Sequence, residues 1–240
     1  MTGHWESIQE ALNKKLIDVV RFFTYKSSGH ISTRRLMKFS YLSELLFIER
    51  HGRKLSGSLF LSWDYGPWSP DLSRAIEAVE AECEDVRVIR KDTKKGNARI
   101  FQPTKSSTQV NLGKDGFLVL DDIFQVFGYI PTDIVIAFTK KASLFKQTQF
   151  GMKVDFESYH KARREAVTKL RSAKKGEVVV FPSLGYTWGV QVEDDGFSAE
   201  NQDLPGCITE GDTLTDLEKN MWLGTLGFLK CEAELHETAS

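Results

Sequence analysis

The chain is poor in cysteine: three residues in 240, Cys83, Cys207 and Cys231. An odd number at such wide spacing suits neither a disulfide framework nor a Cys-x-x-Cys metal knuckle, so the three are read as reduced and structural. Long apolar runs are also missing. None approaches the roughly 20 residues that cross a bilayer. The polar N-terminal stretch lacks the apolar core and small-residue cleavage site of a secretory signal, so a cytoplasmic location and no membrane partner are expected. There is no internal repeat and no low-complexity tract.

Catalytic signatures are absent in the same way. The sequence holds no Gly-x-Gly-x-x-Gly fingerprint, phosphate loop, His-Glu-x-x-His or Gly-x-Ser-x-Gly elbow. Its five histidines, His4, His30, His51, His160 and His236, are scattered one per segment and read as isolated residues, not as a zinc site. Glu193, Asp194, Asp195, Asp203, Glu210 and Asp212 could gather around Mg²⁺ as in a nuclease, but most sit at turns, where acidic residues are common anyway. No catalytic residue, metal or cofactor is therefore expected, and the chain does not read as an enzyme.

Neither sign of charge dominates, with 32 Lys and Arg against 33 Asp and Glu. The balance is local. Residues 140–176 carry eleven basic and three acidic side chains, whereas residues 177–240 carry two basic and thirteen acidic ones. The basic stretch reads as a solvated helix and its linker, with a nucleic-acid footprint as the alternative. The acidic segment would repel phosphates and attract a basic protein.

What is present is mostly helical periodicity. Ile8, Leu12, Leu16, Val19, Val20 and Phe23 form one stripe that ends before Ser27-Ser28-Gly29. Ser32 or Thr33 can cap a second helix with the stripe Leu36, Phe39, Leu42, Leu46 and a stop at Gly52, whose other face carries Lys38 and Glu44. The stretch from Leu55 to Pro70 holds Gly57, Gly66, Pro67 and Pro70 among aromatics and predicts a tight turn region before a helix over Asp71 to Ala81. Val86–Arg90 and Ala98–Phe101 flank Lys94-Lys95-Gly96-Asn97 as a β-hairpin. Helices are expected around Phe117–Phe127, Thr132–Thr139, opened by Pro131, and Asp155–Leu170. Ala173-Lys174-Lys175-Gly176 is the expected boundary between a domain of residues 1–175 and one of residues 176–240. Beyond it, Val178–Phe181, Thr187–Val192 and Phe197–Ala199 are strand candidates, with Asp195-Gly196 as the hairpin signal. A final helix over Leu214–Leu229 opens with Thr213 and Asp216 in a near-capping box and carries Gly224 and Gly227 in its interior. The fold class is α+β, predominantly helical in its first part.

Two stretches stand out as candidate partner-binding residues. In Trp63-Asp64-Tyr65-Gly66-Pro67-Trp68 three large aromatics share a rigid turn, which reads either as a core anchor or as an exposed contact patch. Asp203-Leu204-Pro205-Gly206-Cys207 opens a turn-rich connector that runs on through Ile208-Thr209-Glu210-Gly211-Asp212-Thr213 and leads from strand to helix cap.

The run Leu36-Met37-Lys38-Phe39-Ser40-Tyr41-Leu42, followed by Gly52, Leu55, Gly57, Trp63, Tyr65-Gly66-Pro67 and Pro70-Asp71-Leu72, resembles the Panacea, or SocA-like, antitoxin domain. With Tyr129-Ile130-Pro131-Thr132, Phe138 to Lys141 and Phe145-Lys146, the likeness extends over roughly residues 10–165. It implies a predominantly helical neutralising partner of toxins in bacterial and phage operons, and no enzymatic residue. Asp194-Asp195-Gly196-Phe197-Ser198, Asp203-Leu204-Pro205-Gly206-Cys207 and Gly211-Asp212-Thr213-Leu214 are similar to the HicB antitoxin core. That likeness implies a small sheet with a packed helix, a degraded RNase H-like fold, and a small basic toxin as partner. The DNA-binding module that usually follows such a core is not expected before Ser240, and the two glycines of the last helix depart from the pattern. The expected function is that of an antitoxin-type regulator in a toxin–antitoxin or prophage module, neutralising a toxin encoded next to it by direct binding. A nucleic-acid-binding regulator and a proteolytic adaptor are the alternatives, and self-association and DNA are left open as further interactions.

Overall fold

The computed structural model describes residues 2–29, 31–93, 96–105 and 108–238. Two of the expected hairpin-turn residues, Lys94 and Lys95, and one of the scattered histidines, His30, lie outside them, as do the side chains of Ile8, Leu12, His4 and His236. The chain runs through α1 (Thr2–Lys26), β1 (Ile31–Ser32), α2 (Thr33–His51), α3 (Pro70–Glu82), β2 (Val86–Thr93), β3 (Gly96–Pro103), α4 (Gly113–Phe127), α5 (Thr132–Lys141), α6 (Ser143–Lys146) and α7 (Phe156–Ser172). It continues through β4 (Val178–Ser183), β5 (Tyr186–Val192), β6 (Phe197–Asn201), β7 (Ile208–Gly211) and α8 (Leu214–Thr238). The protein is therefore a mixed α+β fold. No helix among the described residues is long and apolar enough to cross a membrane.

Helix α2 is the axis of the first part. Ser32 caps it, its hydroxyl accepting from the Arg35 amide at 3.3 Å, and Gly52 closes it in the left-handed region at φ 68°. Every residue from Leu36 to Ile48 is buried, because α1, α4, α5, α7, β1 and β3 surround the helix. The expectation of a second, polar face is thereby corrected: Lys38 and Glu44 are each only 2% exposed. A buried charge needs partners, and both side chains find theirs in the loop that follows. The Glu44 carboxylate accepts the amides of Leu55 and Ser56, each at 2.8 Å, together with the Ser56 hydroxyl. Lys38 Nζ donates to the Pro67 carbonyl at 2.8 Å. The loop is tied further by Ser58 to Ser69, 2.7 Å between hydroxyls, and by the Leu59 amide on Asp71 at 3.1 Å.

The β2–β3 hairpin is present with strands of eight residues each, and β1 adds to its β3 edge to give the order β1-β3-β2. Two residues are too few for β1 to show an alternation. Helix α4 begins four residues before the expected Phe117, and Pro131 stands at the N-cap of α5 instead of inside its first turn.

The second sheet is an antiparallel meander, β4-β5-β6-β7. Leu184 and Gly185, at φ 44° and 85°, form a two-residue turn of the kind whose twist matches flanking strands. The hairpin signal at Asp195-Gly196 is also used, and a Cβ on Gly196 would lie 2.6 Å from the Gly211 carbonyl. Strand β7 emerges from the stretch read as connector alone. Helix α8 covers one face of the sheet with Leu217, Met221, Trp222, Leu226 and Leu229, and passes through Gly224 and Gly227 without a break. The opposite face leaves Val178, Val180 and Ile208 more than half exposed.

One buried apolar cluster runs through both parts, from Leu16 to Leu229. Where α7 crosses β4, Arg163 lies 6% exposed with its guanidinium 4.7 Å from the Phe181 ring centre. It reaches Glu218 of α8 at 2.5 Å and Glu49 of α2 at 3.8 Å, and donates to the Pro182 carbonyl at 2.5 Å. The basic stretch is thus not uniformly solvated: Arg163 belongs to the interior.

Candidate functional site

The Trp63 turn is built on short backbone pairings. Leu61 and Trp68 exchange hydrogen bonds at 2.7 and 3.0 Å, and the Gly66 amide donates to the Trp63 carbonyl at 3.0 Å. A neighbouring loop is drawn alongside, with the Ser62 amide on Met152 O at 2.9 Å and the Gly151 amide on Ser62 O at 2.8 Å. Gly66 has φ 86°, and a Cβ there would meet Lys140 Cγ and Thr139 Oγ1 at 3.1 Å and Lys38 Nζ at 3.2 Å. Conformation and space both demand glycine at that position.

The turn divides its residues between interior and surface. Gly66 and Pro67 are buried and Trp68 is half-buried, whereas Trp63 is 42% and Tyr65 59% exposed. Trp63 stacks on Phe150 with ring centres 4.7 Å apart and lies 5.8 Å from the Trp68 ring. Phe150 is 62% and Met152 57% exposed. On the other side of the turn the Arg34 guanidinium covers the Tyr65 ring at 4.6 Å, a cation–π contact. Of the three aromatics, Trp63 and Tyr65 are thus exposed and Trp68 is half-buried, so none of them is a fully buried core anchor.

Beneath this surface lies an uncompensated charge. Burial, followed by the nearby Lys140 and Arg34, pushes the Lys38 ammonium down to about 7. Lys140 Nζ is itself turned to the Asp64 carbonyl at 2.8 Å. Among the described residues no carboxylate pairs with Arg34, Lys38 or Lys140.

The second candidate stretch is a clamp. Asp203 Oδ2 accepts from the Thr187 amide at 2.9 Å and from the Ser143 amide, which opens α6, at 3.1 Å. Asn201 Oδ1 holds the Asp203 and Leu204 amides at 2.9 and 3.2 Å. Leu204 and Cys207 are buried, and burial raises the Cys207 thiol above its ordinary range. Only Pro205 and Gly206 stand fully at the surface. No hydrogen bond, ion pair or ring contact among the described residues joins this stretch to the Trp63 turn.

The other acidic side chains are dispersed. Asp194 pairs with Lys175, and Glu193 accepts from Ser198 Oγ at 2.8 Å and Gln191 Nε2 at 3.1 Å. Among the described residues no group of three or more His, Cys, Asp or Glu is placed to hold a metal ion. In the basic stretch, Lys161, Arg164, Lys169 and Arg171 are exposed on the outer side of α7.

Sequence reasoning did not single out Phe150, Met152, Arg34 or Lys38 as members of the site. The available signal was Phe150-Gly151-Met152, two apolar residues around a glycine between α6 and α7 with no stripe to join. Comparison with family models, curated proteins and solved structures returns no significant match to this chain.

Proposed function

We propose that this chain is a protein-binding regulator of the antitoxin type, Panacea-like over residues 1–175 and HicB-like over residues 176–240, which masks a toxin encoded beside it. The observation that carries the reading is the surface of the Trp63 turn. Trp63, Tyr65, Phe150 and Met152 stand exposed, with Arg34 over the Tyr65 ring, and aromatic residues, Met and Arg are the types enriched where proteins meet. A buried Trp or Tyr anchor contributes about 2 kcal/mol or more to such an interface. The Lys38 ammonium, donating to the Pro67 carbonyl, and the Glu44 carboxylate, accepting the Leu55 and Ser56 amides, hold the loop backbone before any partner arrives, which lowers the ordering cost of association.

The acidic second part adds charge selection. With thirteen acidic residues against two basic over 177–240, it favours encounter with a basic protein. The test is growth rescue: each neighbouring open reading frame is expressed with and without this chain. Rescue together with a co-purifying complex supports masking. A toxic neighbour that is neither rescued nor bound removes the reading.

A second reading rests on the outer side of α7, where Lys161, Arg164, Lys169 and Arg171 are exposed. If that side binds nucleic acid, affinity falls steeply with salt as counterions are released. A flat salt response removes it.

A further inference from the structure

Three cations of the first part, Lys38, Lys140 and Arg34, lie close enough to act on one another, and among the described residues none forms an ion pair with a carboxylate. The Lys38 ammonium and the Lys140 stem both pack against Gly66, with Lys38 Nζ 3.2 Å and Lys140 Cγ 3.1 Å from where its Cβ would lie, and the Lys140 ammonium reaches the Asp64 carbonyl of the same turn. Arg34 flanks the same turn over Tyr65. Each cation is satisfied by an uncharged group: Lys38 by the Pro67 carbonyl, Lys140 by the Asp64 carbonyl, Arg34 by a ring face. A buried ammonium held this way costs stability that an ordinary core residue would not. At Glu44 of the same helix the carboxylate receives two amides and a hydroxyl, which offset part of the burial that still holds it above its ordinary range.

We propose that the Trp63 turn is a carboxylate-recognition site, at which an acidic side chain of a docking protein segment seats against Arg34 and Lys140 above Lys38 while its apolar neighbour lies on the Trp63–Phe150 stack. The inference rests on the reading of this surface as protein-binding, and it names the chemistry of the partner's contact. Charge complementarity selects the occupant, because the excess is positive and local. A nucleic-acid strand fits less well. Lys38 is only 2% exposed and Arg34 is half-buried, which leaves Lys140 as the one fully exposed cation of the three, so the turn offers no row of surface cations for a phosphate chain to follow. A single carboxylate needs only one gap between the cations, and a charge-assisted contact there adds specificity to the apolar platform.

The experiment pans a phage library of random dodecapeptides on the full chain, with counter-selection on the Trp63→Ala variant. Enriched peptides are expected to carry Asp or Glu beside Trp, Phe, Leu or Met. The strongest is then synthesised with its acid and with Gln or Asn in its place, and both forms are titrated against wild type and Lys38→Met. The acid form should bind wild type about tenfold or more tightly than the amide form, and Lys38→Met should remove most of that difference while still binding both. If Lys38→Met does not fold, Lys140→Met and Arg34→Met, on exposed or partly exposed side chains, complete the same comparison. Enriched peptides without an acid, or an acid preference that survives all three variants, overturn the carboxylate site while leaving a protein-binding surface in place. A library that yields nothing dependent on Trp63 overturns the reading of the surface and this inference with it, and binding of a twenty-nucleotide oligothymidine at the turn instead would assign it to nucleic acid.

Discussion

Lys38 shows how much a single side chain is asked to do. Its ammonium is buried among Arg34, Lys140 and the Pro67 carbonyl, so the folded state binds its proton less tightly than the unfolded chain does, about 7 against an ordinary 10.5. Between those two pH values the unfolded state carries more protons, and stability therefore rises with pH across that window. Lys38→Met removes the titration. The variant is expected to melt above wild type at pH 6 to 7, and the gap should narrow as pH approaches 10, by an amount on the order of a few kcal/mol; a gap constant with pH contradicts the account. Gly66 is constrained in the opposite sense. Gly66→Ala combines φ 86° with contacts of 3.1 to 3.2 Å, and should destabilise by about 1–3 kcal/mol in denaturant titration. The need for glycine was legible from Tyr65-Gly66-Pro67, a turn sequence. The burial of Lys38 was not, because a lysine in a helix is ordinarily assigned to its wet face; the available hint was that α2 offers only Lys38 and Glu44 as charges between Leu36 and Ile48.

At the scale of elements, α7 joins the two parts of the chain through an arginine in a core position. Phe156, Tyr159, Arg163, Ala166 and Leu170 follow helical spacing, and all five are buried. Tyr159 donates its hydroxyl proton to Glu49, whose same oxygen accepts the Leu184 amide at 2.7 Å, and Arg163 bridges Glu49 and Glu218. Removing only the cation strands two carboxylates. Arg163→Met should cost about 3–5 kcal/mol, and Glu49→Leu combined with it should recover part of that loss; a double-variant loss equal to the sum of the two single losses in chemical denaturation would show that the network is not coupled. The stripe itself was readable in the sequence. Arg163 interrupted it, since the count of basic residues over 140–176 drew attention to charge and away from periodicity. The helices and hairpins with strong turn residues were legible for the same reason that β1, β7 and the four-residue α6 were not: a short element has too few residues to display a period.

At the scale of the molecule, the apolar cluster that continues from α1 to α8 binds the helical part and the second sheet into one body. The sequence marks a change of composition near Ala173–Gly176, and strands do begin at Val178, but apolar residues do not announce which part of the chain will cover them. Phe138 and Tyr186, in contact at 5.0 Å, come from opposite sides of that boundary. The full chain should therefore melt in one transition, and residues 1–175 alone should melt well below it by calorimetry; two independent transitions would contradict a shared core. On that body Trp63 and Phe150 are stacked and exposed, and a toxin is proposed to dock there. The most direct measurement expresses each neighbouring open reading frame and, for any that proves toxic, compares rescue by wild type and by Trp63→Ala, with complex recovery and thermal melting followed for both. The prediction is that Trp63→Ala melts close to wild type yet loses rescue and complex together. Full rescue and an undiminished complex from Trp63→Ala would contradict it.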